Sequence, residues 1–185
     1  HASVRARLLN EGEVAIEFID TAGCGYGESQ DPETLSRVNE DEARLLIAQV
    51  EALITRIGEP SWLNQKISLG IITPYRAQVD YLNKLAEASP VLTPLQHLVT
   101  INTVDAFQGQ ERDVIAISFV RSNEKSEVGF LGDIRRTNVA MTRAKKKLIM
   151  IGDSATLGSH PFYNELVGYV QDGGFYKSAF EFFTS

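Results

Sequence analysis

The sequence predicts an α/β domain: a mostly parallel sheet with helices on both faces. Three observations carry this. Short apolar runs recur at 14–20, 67–72, 98–101, 113–120 and 148–151. Helical spacing of apolar residues fills several of the intervals, as at 39–57 and 73–86. The run at 113–120 is nearly all apolar, as a central strand covered on both faces requires. Strands alternating with helices build parallel sheets, because the path back to a parallel neighbour is usually a helix. With 185 residues the chain is long enough for one domain with a real core and short for two.

Val14 to Asp20 reads as the first strand, with its tip at Asp20. Thr21 to Gly27 has three glycines in five positions and reads as a loop. A dinucleotide fingerprint would need a helix directly after it, and Glu28-Ser-Gln-Asp-Pro32 forbids one, so a surface loop is expected. Asn39 then caps a helix, with Glu42 reaching back to close a capping box. Ala43, Leu46, Ile47, Val50, Leu53, Ile54 and Ile57 make one apolar stripe along it, and Gly58-Glu-Pro60 ends it.

Ile67 to Ile72 is the second strand. Thr73 is expected to cap the next helix with Pro74 as its first residue, and Val79, Leu82 and Leu85 face inward. Ser89 to Pro94 connects to a third strand, Leu98 to Ile101. A polar turn, Asn102 to Glu111, leads to the fourth strand at 113–120. After a polar loop, Asp133 caps a helix running to about Lys145, and Leu148 to Ile151 is the fifth strand. Ser159 to Gln171 suggests a last helix. The aromatic ending, Phe175 to Phe183, docks on the body or on a missing neighbour. The expected organisation is one domain over 1–185, with 1–13 and 175–185 peripheral.

The composition is that of a globular protein, 43% hydrophobic and 23% charged. No apolar run is long enough to span a membrane, and no segment reads as a signal peptide. The single cysteine, Cys24, cannot make an internal disulfide, which points to a reducing, intracellular setting: cytoplasmic, without excluding the nucleus. Net charge is −6, which disfavours a free-standing nucleic-acid binder, but the distribution is uneven. Residues 11–59 hold twelve acidic and three basic side chains; residues 135–147 hold six basic and no acidic ones. Lys145, Lys146 and Lys147 read as partners for the acidic surface.

Ligands of open parallel sheets bind beyond the carboxyl ends of the strands. The segments 73–75 and 103–111 both follow strands and are expected to share that rim. In the helix after Asp133, Arg136 and Arg143 are seven residues apart, nearly two turns, so they point the same way, with small Ala140 between them. Guanidinium groups suit phosphate oxygens, and one aimed at a leaving phosphate accelerates phosphoryl transfer.

Three segments together resemble a family. Thr73-Pro-Tyr-Arg-Ala-Gln78, Thr103-Val-Asp-Ala-Phe-Gln-Gly-Gln-Glu111 and Arg135-Arg-Thr-Asn-Val-Ala-Met-Thr-Arg-Ala144 are similar to motifs IV, V and VI of superfamily 1 helicases. The variant is that of the nonsense-mediated-decay and nuclease-associated helicases, which move 5′ to 3′. Asn39-x-x-Glu-Ala43 matches a feature preceding motif IV in these proteins. The resemblance covers about residues 14–157 and implies the second of two RecA-like motor domains. It implies that ATP binds between this domain and an N-terminal RecA-like partner of the same protein. By it, Tyr75 stacks on or beside the adenine with Gln78 nearby. Gly109 and Glu111 face the nucleotide, Arg143 is the arginine finger, and Arg136 supports it. Thr73, Asn102 and Thr103 touch the backbone of single-stranded DNA or RNA. Phe107 reads as a buried anchor for its turn, and Asp105 as either a turn-holder or a direct ligand.

Two departures qualify the match. Where some relatives carry a second phosphate-binding arginine after the asparagine, this chain has Glu40, so either Arg37 or Arg76 substitutes or there is one finger only. The sequence also lacks a Gly-x-x-x-x-Gly-Lys-Ser/Thr loop and a paired acidic motif for Mg²⁺, which the resemblance places in the partner domain. The rival readings are a helicase-like module kept for binding alone, and an unrelated nucleotide-binding α/β enzyme.

Overall fold

A computed structural model describes residues 14–183. The expectation for 1–13 lies outside the described residues. Six parallel strands form one sheet in the order β5-β4-β6-β7-β1-β8. They are β1 Ile16–Asp20, β4 Leu69–Ile72, β5 Val99–Asn102, β6 Arg112–Ser118, β7 Ala144–Gly152 and β8 Tyr176–Ser178. A two-residue antiparallel pair, β2 Ser29–Gln30 with β3 Arg37–Val38, sits in the loop before the first helix. The helices are α1 Glu40–Ile57, α2 Glu59–Gln65, α3 Arg76–Glu87, α4 Ile134–Thr142, α5 Ser154–Leu157 and α6 Pro161–Asp172.

The period of two in a strand divides the core into two layers. Ile19, Ile71, Val114, Ala116, Ile149 and Ile151 meet α1 and α3 on one face. Phe18, Ile72, Ile115, Ile117, Leu148 and Met150 meet α4 and α6 on the other. Both faces are dry, which is why β4, β6 and β7 read as continuous apolar runs. Among the described residues, no helix is long and apolar enough to cross a membrane.

Four local expectations change. Gly58 caps the end of α1 as expected, but Glu59 and Pro60 open α2, because Gly58, with a φ of 92°, turns the chain into a second helix. Thr73 does not cap. Its N–H still bonds the Asn102 carbonyl at 3.3 Å, and proline after it disfavours helical backbone, so α3 starts at Arg76 with Tyr75 as its cap. The helix expected to reach Lys145 stops at Thr142, because residues 144–147 pair with β6 as the first half of a nine-residue strand. Lys147 is therefore fully buried, bonding the Val14 carbonyl and pairing with Glu17, and is no surface partner.

The fourth change enlarges the sheet. Tyr176–Ser178 pairs with β1 as a sixth strand, and the Tyr176 hydroxyl donates to Asp20 at 2.6 Å. The aromatic ending thus docks on the body.

The connection from β5 to β6 places the site. It has no α-helix, only a single 3₁₀ turn at Val104–Phe107, and β4 lies between the two strands it joins. The segment therefore crosses the face of β4. Phe107, fully buried, rests directly on Gly70 of β4: a Cβ there would lie 2.7 Å from Phe107 Cε1 and 2.8 Å from Ile115 Cδ1. The anchoring role expected of Phe107 holds.

Candidate functional site

Residues 103–111 run from the carboxyl end of β5 to the amino end of β6. In a parallel sheet these ends lie on opposite rims. At about 3.3 Å per residue, the seven-residue β6 separates its own ends by about 20 Å. The segment expected to sit on one rim instead spans both.

At the carboxyl rim, Thr73 and Thr103 line one cavity of about 100 Å³, with Pro74, Val104, Asp105, Phe130 and Arg136 at its sides. Thr73 is fully buried and its Oγ1 has no hydrogen-bond partner. A buried hydroxyl without a partner costs about 1–3 kcal/mol, so a ligand atom that met it would recover that energy. Asn102 is not in the cavity lining: its Oδ1 accepts from the Thr103 N–H at 2.8 Å and from Arg76 at 3.2 Å. Arg136 pairs with Asp105, both exposed. The Asp105 side chain thus holds Arg136 to the turn, and the Asp105 carbonyl accepts from the Gln108 N–H at 3.3 Å.

At the amino rim, Arg143 follows the last turn of α4, and its carbonyl accepts from the Arg112 N–H at 2.9 Å. This bond sets Arg143 beside Glu111 in space. Arg143 is partly buried, and its Nε is buried without a partner. Gly109 and Glu111 are exposed, and Gly109 has a φ of +69° with open space where a Cβ would be. An orphaned guanidinium N–H, an open glycine and a free-standing carboxylate fit a polyphosphate and its sugar.

Arg136 and Arg143 do not share a site. Helix α4 runs from one rim toward the other, so the two are about 10 Å apart along its axis at about 1.5 Å per residue. Ala140 between them is buried in the core layer of α4 and α6 and lines the cavity that Arg136 also lines.

Tyr75 and Gln78 lie at the carboxyl rim and are not brought to Arg143. Gln78 is fully buried. Its amide accepts from the Asn39 N–H and donates to the Asn39 carbonyl and Ser118 Oγ, which leaves it a positioning residue in this arrangement. Glu42 belongs to the same knot. Its carboxylate accepts from Ser118 Oγ at 2.6 Å and the Val120 N–H at 2.7 Å instead of reaching back to Asn39. The Asn39 side chain does cap, accepting from the Glu42 N–H at 3.1 Å. Burial pushes the Glu42 carboxyl up to about 7, against the pull of those two bonds.

Tyr75 is buried beneath Phe130, with ring centroids 5.0 Å apart and planes 15° apart. Its hydroxyl accepts from Arg121 Nη1 at 3.0 Å and the Phe130 N–H at 3.3 Å. Arg121 is held in turn by Glu28 from the glycine-rich loop. Arg37 also pairs with Glu28, and Arg76 bonds Asn102, so both candidate substitutes for a second finger are engaged at the carboxyl rim. Phe130 was not singled out by sequence reasoning. Its signal was a large aromatic between two glycines, 129 and 132, just before the arginine-rich helix.

Comparisons with known proteins show the family of this fold. The profile of a family described as an AAA domain matches residues 3–155. Relatives include the DNA-binding protein SMUBP-2 of Rattus norvegicus, 37% identical over 98% of this chain and 18% of that protein. The chain belongs to this AAA-domain family of superfamily 1 helicases. The DNA polymerase alpha-associated DNA helicase A of Saccharomyces cerevisiae is 40% identical over 80% of this chain and 20% of its own length. A putative regulator of nonsense transcripts 1 from Takifugu rubripes is 42% identical over 71% of this chain and 12% of its own. The chain thus spans about a fifth or less of these relatives. In this AAA domain the three helicase motifs lie on one parallel sheet, and motif V joins its two rims.

Proposed function

We propose that this domain is the second motor domain of an ATP-dependent nucleic-acid helicase. In the whole protein it completes the ATP site from its amino rim and grips a single strand at its carboxyl rim. The observation that carries this is the path of residues 103–111. Thr103 stands beside the unpartnered Thr73 at one end, and Gly109 and Glu111 stand beside Arg143 at the other.

Each set suits its ligand chemically. Small hydroxyls hold phosphates without reading bases, as a translocating motor needs. A guanidinium with an unused N–H stabilises charge on a transferring phosphoryl group. ATP, with Mg²⁺ held by an N-terminal RecA-like partner domain, supplies the phosphoanhydride whose cleavage drives the cycle. Residues 103–111 link the two rims covalently, and Phe107 fixes their path over Gly70. Tyr75 and Gln78 support the carboxyl rim from within.

The test is Arg143→Ala in the full-length protein. Hydrolysis is expected to fall by about 10³–10⁵ while nucleotide binding is largely kept. The 185-residue domain alone is expected to show no turnover, since its sequence has no phosphate loop. Normal hydrolysis in the variant, or robust turnover by the domain alone, would overturn the assignment.

A further inference from the structure

Phe130 is 64% exposed, yet it is not a loose side chain. One face of its ring lies on Tyr75, whose hydroxyl is fixed by Arg121 and by the N–H of Phe130 itself. Gly129 makes this tight seat, with a φ of +54°. A Cβ there would fall 1.9 Å from Arg121 Nη1 and 2.6 Å from the Tyr75 hydroxyl. The other face of the ring is open. It stands at the wall of the cavity shared by Thr73, Thr103 and Arg136.

An exposed aromatic ring in a fixed orientation, beside hydroxyls and a guanidinium, has the parts of a nucleotide-unit site: a flat face for a base and polar groups for the adjoining phosphate. We propose that Phe130 is a stacking platform for one base of the single strand, and that it sets the register of that strand on the carboxyl rim. This rests on the strand path proposed above. The base belongs to the strand and not to ATP. Phe130 stands at the opposite rim from Arg143 and Glu111, about 20 Å away along β6, so a nucleotide with its phosphates at Arg143 would have to span the sheet. Arg136 meets the phosphate by exchanging Asp105 for it. An exposed carboxylate pair is held weakly enough for that exchange.

The experiment uses the full-length protein and fluorescently labelled single-stranded oligonucleotides, intact or with one abasic position moved stepwise along the strand. Phe130→Ala is expected to weaken binding of the intact strand by about five- to a hundredfold, the value of one base–aromatic stack. Phe130→Leu keeps apolar bulk on Tyr75 and should lose nearly as much; Phe130→Trp should restore binding. One abasic position should weaken the wild type by a similar factor and leave Phe130→Ala unchanged. The apparent affinity for ATP stays the same in all variants. Equal losses for intact and abasic strands at every position would overturn the proposal, since the ring would then act indirectly. A change in ATP affinity with strand binding intact would also overturn it, by placing adenine on the ring. If Thr103→Ala weakens strand binding and Phe130→Ala does not, the platform fails and the strand path stands. If the wild type binds no single strand, both fail.

Discussion

Glu42 gives the domain a pH-dependent stability whose sign follows from its surroundings. It is fully buried, one carboxylate oxygen has no partner, and Asp153 adds like charge. Its carboxyl is raised from 4.5 to about 7 in the folded state. Between these values the folded chain holds a proton that the unfolded chain has released. The stabilisation is complete below about pH 4.5 and is lost as pH rises through 7. The difference corresponds to about 3 kcal/mol between the two limits. Glu42→Gln keeps the shape and an acceptor for Ser118 and Val120 but carries no charge. Urea unfolding of both proteins, from pH 5 to 8, isolates this group, because every other carboxylate is common to the pair. The variant should gain on the wild type as pH rises, by up to about 3 kcal/mol at pH 8. Parallel stability curves for the two proteins would refute the account of Glu42 as a buried charge.

Further outcomes follow from two of the glycines that admit close contacts. Gly70→Ala should destabilise the domain by about 1–3 kcal/mol, since the new methyl meets Phe107 and Ile115, both fully buried. Adding Phe107→Leu should return part of that loss, and denaturant unfolding of the double-mutant cycle measures the coupling. Gly129→Ala should cost more than an ordinary loop substitution, which is within about 0.5 kcal/mol, because both its φ and the Arg121 and Tyr75 atoms oppose a Cβ. A neutral thermal shift for that variant would mean that the Phe130 turn adapts.

Much of the fold was legible because burial on both faces writes itself as apolar runs. The strands β4, β6 and β7 were found this way, and α1 by its stripe and by Asn39. The misses have a common cause. Residues 145–147 are all lysine and follow a helical pattern, so nothing local marks 144–147 as strand; only pairing with β6 does. Thr73 looks like a cap because the Thr-Pro pattern is local, while the bond from its N–H to Asn102 is not. The β8 strand is three residues long and exists only because β1 offers an edge.

The sequence by itself determined the family and the parallel sheet, and it nominated the candidate site groups: Thr73, Thr103, Gly109, Glu111, Arg136 and Arg143. Residue types and their spacing carry that information, since spacing within a helix or strand fixes which side chains are neighbours. The tertiary structure decided how these groups divide between two rims. Motif V carries no mark that it crosses β4, because that path depends on strand order, a property of pairing between distant segments. The rise along α4 separates Arg136 from Arg143, while packing between distant segments buries Tyr75 and Gln78 and leaves Phe130 exposed.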